Sequence, residues 1–352
     1  MVLNTLYAQV ARARRRAYRR PDRRRRLGRP VVSVGNLSVG GSGKTPTVAC
    51  LARLLLEMGE RPAILSRGYG RRDAPPGAVV VSDGRTVLAD LDRSGDEPLM
   101  LARSLEGVAV VVADQRYLAG LIAEHHLGAT VHVLDDGFQH FQLERDIDLI
   151  VVTDEDVSHP ETLPGGRLRE SLSTAAEADA VLVPGVDAAE ARELGLRLGV
   201  DRAFGLRRVH GEPRRLDVLS ASAAADPAPD APVLALAGIG HPESFFSELT
   251  RAGWRVVETM AFRDHHRYRA ADIARIVSRA KAAGASAVVT TEKDLMRLLP
   301  FRPLAMPLLW VPLRVTIEPA AELRAWLAER LQRARAATSR AADPDRSMET
   351  RS

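Results

Sequence analysis

The stretch that most restricts how this chain can fold is Val31–Met58, VVSVGNLSVGGSGKTPTVACLARLLLEM. An apolar run (Val31, Val32, Val34) enters a glycine-rich turn, Gly40-Gly41-Ser42-Gly43, that ends in Lys44-Thr45. Val48, Leu51, Leu54, Leu55 and Met58 then recur at the spacing of one helix face. Strand, glycine turn, Lys-Thr and helix is the build of a phosphate-binding loop: small residues let consecutive N–H groups curl around an anion at a helix N-terminus. In such a loop Lys44 reaches the β- and γ-phosphates and the Thr45 hydroxyl ligates Mg²⁺. Pro46 suits a first helical turn, where its missing N–H has no partner to lose. Ser38 stands where the G-x-x-x-x-G-K-[ST] pattern has glycine, so its backbone must keep φ negative. The alternative is an ordinary strand-to-helix turn that holds no ligand.

At 352 residues the chain has room for two domains with full cores. No apolar run approaches the roughly eighteen residues of a membrane span. The single cysteine, Cys50, excludes a disulfide framework within the chain and reads as core in the helix after the loop. Only Lys44, Lys281 and Lys293 among 50 basic residues are lysines, so a lysine at the end of a glycine loop stands out.

Charge is unevenly spread. Residues 1–30 hold eleven arginines and one acid, Asp22; they carry +10 of a net +5, and the remaining 322 residues carry −5. Val2, Leu3, Leu6, Tyr7 and Val10 have helical spacing ahead of this cationic stretch, which Pro21 interrupts. The charges follow the apolar residues and no cleavage pattern appears, so the segment does not read as a secretory signal; the absence of serine before Ser33 argues against a transit peptide. Adhesion to an anionic membrane surface is the functional reading, a nucleic-acid arm a second, and a solvated basic tail the plainest.

From Val31 to about Val183 apolar runs alternate with helical patterns: Val31–Val34, Ala63–Leu65, Val79–Val81, Val108–Ala113, Val131–Leu134, Leu149–Val152 and Ala180–Val183. Their continuous hydrophobicity predicts an α/β fold with a mostly parallel sheet covered on both faces. Ala221–Pro232 reads as a linker or exposed loop. A second α/β stretch follows, with strands at Val233–Ala237, Trp254–Val257, Ala287–Thr290 and Leu308–Val311 and helices at Ala271–Ala283 and Ala320–Ala336. The expected organisation is a basic arm (1–30), a P-loop domain (31–220), a linker (221–232), a second α/β domain (233–337) and a disordered tail (338–352).

Phosphoryl transfer asks the protein to clamp phosphates, hold metal and place a base near the acceptor, so acids at strand ends are the residues to seek. Gly95-Asp96-Glu97-Pro98 sets two carboxylates before a helix, where Asp96 is either functional or a helix cap. VHVLDDGFQH (Val131–His140) ends a strand in Asp135-Asp136, where a Mg²⁺ partner of the loop threonine is usually held, with Gln139 and His140 in reach. FRDHHRY (Phe262–Tyr268) sets adjacent histidines beside an acid, a poor spacing for a single metal ion.

These motifs, with ILSRGYGR (Ile64–Arg71), RDID (Arg145–Asp148), AGIG (Ala237–Gly240) and TTEKD (Thr290–Asp294), occur in one order. Together they resemble the tetraacyldisaccharide 4′-kinase (lipid A 4′-kinase) family from the arm to about Arg314. The resemblance implies two α/β/α domains, the first P-loop NTPase-like, with the active site between them. It implies transfer of phosphate from ATP, with Mg²⁺, to the 4′-hydroxyl of a lipid A disaccharide precursor at the cytoplasmic face of the bacterial inner membrane. No nucleic-acid partner is implied, and oligomeric state is left open. Residue by residue, Gly40, Gly41, Ser42, Gly43, Lys44 and Thr45 match the ATP-binding loop, and Asp96 and His265 the catalytic pair. In that pair Asp96 accepts the hydroxyl proton and His265 orients and tunes it. Glu97, Asp135 and Asp136 join Thr45 on the metal side, and Arg67 and Tyr69 line the cleft. The chain departs from the family at Arg263, where proline is usual, and at His241, where asparagine is common. In Asp154–Ser173 an LPxGxLRE-like pattern lacks its usual lead, which leaves Arg167 and Arg169 without an assigned role. Two readings of other classes remain: a P-loop ATPase switch acting on a partner or nucleic acid, for which GDEP and DHH would be idle, and a soluble small-metabolite kinase.

Overall fold

In a computed structural model, residues 2–216, 230–302 and 304–342 are described. Eight strands open the first sheet: β1 (Val31–Asn36), β2 (Pro62–Ser66), β3 (Ala78–Asp83), β4 (Ala109–Ala113), β5 (Val131–Asp135), β6 (Ile147–Val151), β7 (Ala180–Pro184) and β8 (Ala203–His210). A second sheet takes β9 (Arg214–Arg215), β10 (Val233–Ala237), β11 (Val256–Ala261), β12 (Ala287–Thr291) and β13 (Leu308–Val311). The chain then returns, and β14 (Leu313–Glu318) pairs antiparallel with β8 in the first sheet.

The first sheet runs β14-β8-β7-β6-β1-β5-β2-β4-β3, parallel except at its two edges, where β14 and β3 are antiparallel. β1 lies between β5 and β6, with β2 beyond β5, so successive connections leave on opposite sides of it. That reversal opens a crevice at the carboxyl ends of the strands, where open α/β sheets bind ligands. Both faces are covered. Val32 and Val34 pack on one face with Val48, Leu51 and Leu55 of the helix Lys44–Glu57, while Val31 packs on the other with Leu27, Ala119 and Ala123. The spacing of apolar residues after the loop thus reads correctly as a buried helix face. Cys50 is half-buried against this core, and burial pushes its thiol up to about 11.

The second sheet runs β11-β10-β12-β13-β9, with β9 antiparallel at its edge. The two-domain expectation therefore needs new boundaries. Arg214–Arg215 already belong to the second sheet, whereas β14 and the helix Ala320–Ala342 belong to the first, with Leu323, Leu327 and Leu331 buried in its core. The cause is visible in LRVTIE: Leu313, Val315 and Ile317 alternate with polar residues, the pattern of a half-buried edge strand. Thr338–Ala342, expected to be disordered, continue that helix. Most of the expected linker and the rest of the tail lie outside the described residues.

Residues Val2–Ala17 form a helix that docks by its small and polar face. Asn4, Ala8, Ala11 and Arg15 turn inward, while Leu3, Leu6 and Val10 are 66%, 55% and 61% exposed. Asn4 accepts from the Gly165 N–H and the Thr162 hydroxyl. The Arg15 guanidinium is buried over Phe138 and pairs with Glu170 at 2.7 and 2.9 Å. Removing one partner of a buried ion pair typically costs about 3–5 kcal/mol. Arg15→Met is accordingly expected to lower the unfolding temperature by many degrees, whereas Arg16→Met, at an exposed position, should leave it in place; thermal denaturation of both variants checks this.

Candidate active site

Every candidate site residue sits at a carboxyl end of the first sheet or on the facing edge of the second. The loop leaves β1 after Asn36 and enters its helix at Lys44, with Gly43 in the left-handed region at φ 84° and no side chain capping the helix. Its first-turn N–H groups are thus free of a side-chain cap, as anion binding requires. Ser38 is not among the residues with positive φ; it is buried and accepts from Asn36 Nδ2 at 3.1 Å, so serine replaces the pattern glycine without strain. The Lys44 ammonium donates to Asn36 Oδ1 at 3.0 Å and Ser42 Oγ at 3.4 Å and lies 3.7 Å from Asp136.

Glu97 meets the loop from the helix Asp96–Ser104: the Thr45 hydroxyl donates to its Oε2 at 3.2 Å. Asp135, at the end of β5, is buried and accepts from the Ser66 hydroxyl at 3.2 Å. Burial, then the charges of Glu97 and Asp136, push its carboxyl up to about 7. Asp136 behaves differently. Its backbone is left-handed at φ 52°, and Arg169 grips both oxygens at 2.8 and 3.0 Å. Burial would raise its pKa, but the Arg169 bonds and the Lys44 charge outweigh burial and hold it below the usual carboxylate range. Of the acids expected on the metal side, Asp136 is therefore committed to cations, while Glu97 and Asp135 repel one another near the Thr45 hydroxyl. An oxygen-only, carboxylate-rich donor set fits Mg²⁺. Among the described residues no group of three or more His, Cys, Asp or Glu is placed to hold a metal ion.

The second domain closes the site from above. Leu99, one turn into the helix Asp96–Ser104, is buried in the second domain's core with Leu234, Leu295 and Met296, a contact worth about 1.5–3 kcal/mol. This docks Asp96 and Glu97 against the helix Glu292–Leu298. Gly95, at φ 84°, lets the start of this helix approach the loop after β2: a Cβ there would lie 2.6 Å from the Tyr69 carbonyl oxygen. Asp96 is 5% exposed and its Oδ2 lies 2.9 Å from His265 Nδ1. Burial would raise the Asp96 pKa; the His265 hydrogen bond, with the charges of Lys293 and Arg297, overcomes that and lowers it. Among the described residues the non-glycine positions with positive φ are Asp136 and His265, the latter at 56°. Such backbone strain, about 1–3 kcal/mol, tends to persist at functional sites.

His266 does not join its neighbour. It bonds Asp272 at 3.1 Å and stacks on Phe262, which ties it to the start of the helix Ala270–Ala282. Tyr69 sets its ring edge to the His265 ring at 5.2 Å, and Arg67 lines the same cavity, of about 1680 Å³, between the domains. Arg14, Tyr18 and Phe141 from the arm side also line it. His140 lies there too, its pKa pushed down to about 4 by burial and then by Arg116, Arg145 and Arg67. Sequence reasoning missed Asn36, Lys293 and Arg297. Scarcity of lysine could have marked Lys293, but nothing local marks Arg297, which is buried, pairs with Asp294 one turn back and reaches Gly238 O and His266 O from far along the chain.

A nucleotide switch has no use for an acid–histidine pair held across a cleft from its phosphate loop; transfer to a hydroxyl acceptor does. Fold and site together define a P-loop kinase. Comparison with known proteins narrows this: the chain belongs to the family described as tetraacyldisaccharide-1-P 4′-kinase, whose pattern matches residues 1–332. It is 41% identical over 312 residues to a tetraacyldisaccharide 4′-kinase of Pelobacter propionicus, covering 84% of this chain and 81% of that protein. A Syntrophus aciditrophicus protein of the same name is 39% identical, covering 84% and 82%. Among solved structures, the "apo" form of LpxK from Aquifex aeolicus in complex with ATP superposes with a TM-score of 0.71 at 29% identity, covering 94% of this chain and 97% of that one.

Proposed function

We propose that this kinase phosphorylates the 4′-hydroxyl of a tetraacyldisaccharide 1-phosphate, a lipid A precursor, with ATP as donor and the Asp96–His265 pair as proton acceptor. The observation that carries the reading is the 2.9 Å contact of that pair, made between domains and facing the loop. The loop N–H groups and Lys44 bind and orient the donor phosphates; Thr45, Glu97 and Asp135 would hold Mg²⁺, and Asp136 keeps Lys44 and Arg169 in place. Bound Mg²⁺ supplies charge neutralisation on the phosphoryl oxygens. The 4′-oxygen attacks the γ-phosphorus, the bond from that phosphorus to the bridging oxygen breaks, and the electron pair stays on ADP. The hydroxyl proton passes to Asp96, with His265 orienting and tuning the carboxylate. Arg67 and Tyr69 line the path of the sugar. The test is incubation with ATP and detergent-dispersed precursor: mass spectrometry should find one added phosphate on the lipid, and none would defeat the reading.

The reading extends to where the enzyme works, at the cytoplasmic face of the inner membrane. No helix among the described residues is long and apolar enough to cross a membrane. The arm instead turns its apolar stripe outward, which a second apolar phase would cover. Leu3, Leu6 and Val10 are worth roughly 1.5–3 kcal/mol each if fully buried. Not all eleven arginines are available to a surface: Arg15, Arg19 and Arg26 are in ion pairs, and Arg12 donates to Ser171. Each remaining arginine near an anionic leaflet adds about 1 kcal/mol, decaying within a Debye length. Binding should therefore be reversible, stronger on anionic than on neutral vesicles, and largely stripped by high salt in co-sedimentation. Leu3→Gln with Leu6→Gln should weaken it and spare ATP binding, a cleaner test than deleting an arm that carries Arg15. Equal, salt-indifferent binding to both kinds of vesicle would overturn the electrostatic arm; salt-sensitive capture by DNA alone would favour nucleic acid.

A further inference from the structure

Lys293 has no part in the scheme above, yet it stands where the reaction has to pass. Its ammonium lies 3.0 Å from Glu97 Oε1, 3.3 Å from Asp264 Oδ1 and 3.2 Å from His265 Nε2. An ammonium has three donors, and these three partners engage all of them. One comes from the first domain and two from the second. The other oxygen of Glu97 meets the Thr45 hydroxyl at 3.2 Å, so a single carboxylate separates Lys293 from the phosphate loop. On its other side a single imidazole separates it from Asp96. The cation thus bridges the carboxylate that meets the phosphate loop and the imidazole that meets Asp96.

We propose that Lys293 is a catalytic residue of the second domain, which leaves Glu97 for the transferring phosphoryl group once nucleotide and Mg²⁺ are bound. The inference rests on the kinase reading above. When the Glu97 carboxylate turns to the metal, the ammonium loses one of its acidic partners, and the phosphoryl group brings negative charge on three equatorial oxygens to the same place. As the 4′-oxygen bonds to the γ-phosphorus and the bridging bond breaks toward ADP, the ammonium stabilises the charge in flight. Its withdrawal from His265 Nε2 also leaves that nitrogen open on the substrate side, while Nδ1–H continues to donate to Asp96. The neighbouring acids keep the group charged: burial alone would lower its pKa, but Glu97, Asp96 and Asp264 raise it. The residue type fits the task. In a chain that otherwise uses arginine, two of three lysines face this site, and a compact ammonium exchanges oxygen partners more readily than a planar guanidinium.

The test compares wild type, Lys293→Met and Lys293→Arg for binding of ADP alone and of ADP with aluminium fluoride, a mimic of the phosphoryl group in flight. Because catalysis is differential binding, Lys293→Met should bind ADP as wild type does but ADP with aluminium fluoride about 10²-fold more weakly. Turnover on detergent-dispersed precursor should fall by about 10²–10³-fold, with KM for ATP little changed. Lys293→Arg, which keeps the charge, should lose less affinity for the mimic than Lys293→Met, and circular dichroism should show both variants folded. Equal affinity of wild type and Lys293→Met for the mimic, or a parallel loss of ADP itself, would overturn the proposal. A wild-type enzyme that binds the mimic and hydrolyses ATP but leaves the lipid unphosphorylated would sink the substrate reading and leave Lys293 to be judged by the same binding ratio.

Discussion

Lys44→Ala is expected to abolish phosphoryl transfer, to below about one thousandth of wild-type turnover, while the protein stays folded. The Lys44 ammonium ends a loop whose other groups are neutral N–H donors, and it is the one lysine that the phosphate loop itself carries. Without it the charge developing between the β- and γ-phosphates loses its nearest fixed cation. The group is held for this use at a cost: burial lowers its pKa, partly offset by the charge of Asp136. Asn36 and Asp136 fix its direction, at 3.0 and 3.7 Å. Stability should change little. Asp136 keeps both Arg169 bonds, so no buried acid is left alone, and the helix Lys44–Glu57 keeps Val48, Leu51 and Leu55 in the core. Turnover of purified protein with an unchanged unfolding temperature checks the prediction; near-wild-type activity would refute the phosphate-loop reading.

Much of this site was legible because its parts are local. The strand, glycine turn and helix of Val31–Met58 follow from periodicity and residue size, and the runs that became β2 and β4 to β7 were continuous enough to read as a buried parallel sheet, whereas β3 is its antiparallel edge. Asp135 and Asp136 were visible as a pair at a strand end, but not their division of labour. That division depends on Arg169, 33 residues on, which grips Asp136 and leaves Asp135 beside Glu97. The return of β14 to the first sheet was missed although LRVTIE alternates, since a chain read in order suggests that the last strand belongs with its neighbours. The arm was read as one basic amphipathic segment. Its geometry splits it: Arg15 is a buried structural cation, and the exposed stripe is apolar. Side chains brought together by tertiary packing, Arg297 behind Asp96 above all, leave no local signature.

The second large effect expected is that Asp96 and His265 fail together. Asp96→Ala and His265→Ala should each lower turnover by about 10²–10⁴-fold, the range for general acid–base catalysis. Asp96 alone would be a weak base, because its partners hold its pKa low and an efficient base titrates near the working pH. The 2.9 Å contact with His265 couples the two side chains, so the proton acceptor works as a pair. Removing either member then removes the function of both, and the double variant should be little worse than the poorer single one. ATP affinity should hardly move, since neither side chain belongs to the loop. Stability is the point at which the two singles should differ. Asp96→Ala leaves Arg297, 3% exposed at its side chain, without one carboxylate but still paired to Asp294. His265→Ala keeps a residue with φ near 56°, a region costly for alanine, and leaves Asp96 buried with Arg297 and the Glu97 N–H as partners. His265→Asn, which tolerates that backbone better, should therefore be the more stable variant and equally inactive. A double-mutant cycle in turnover decides the matter: defects that multiply independently would break the pair apart.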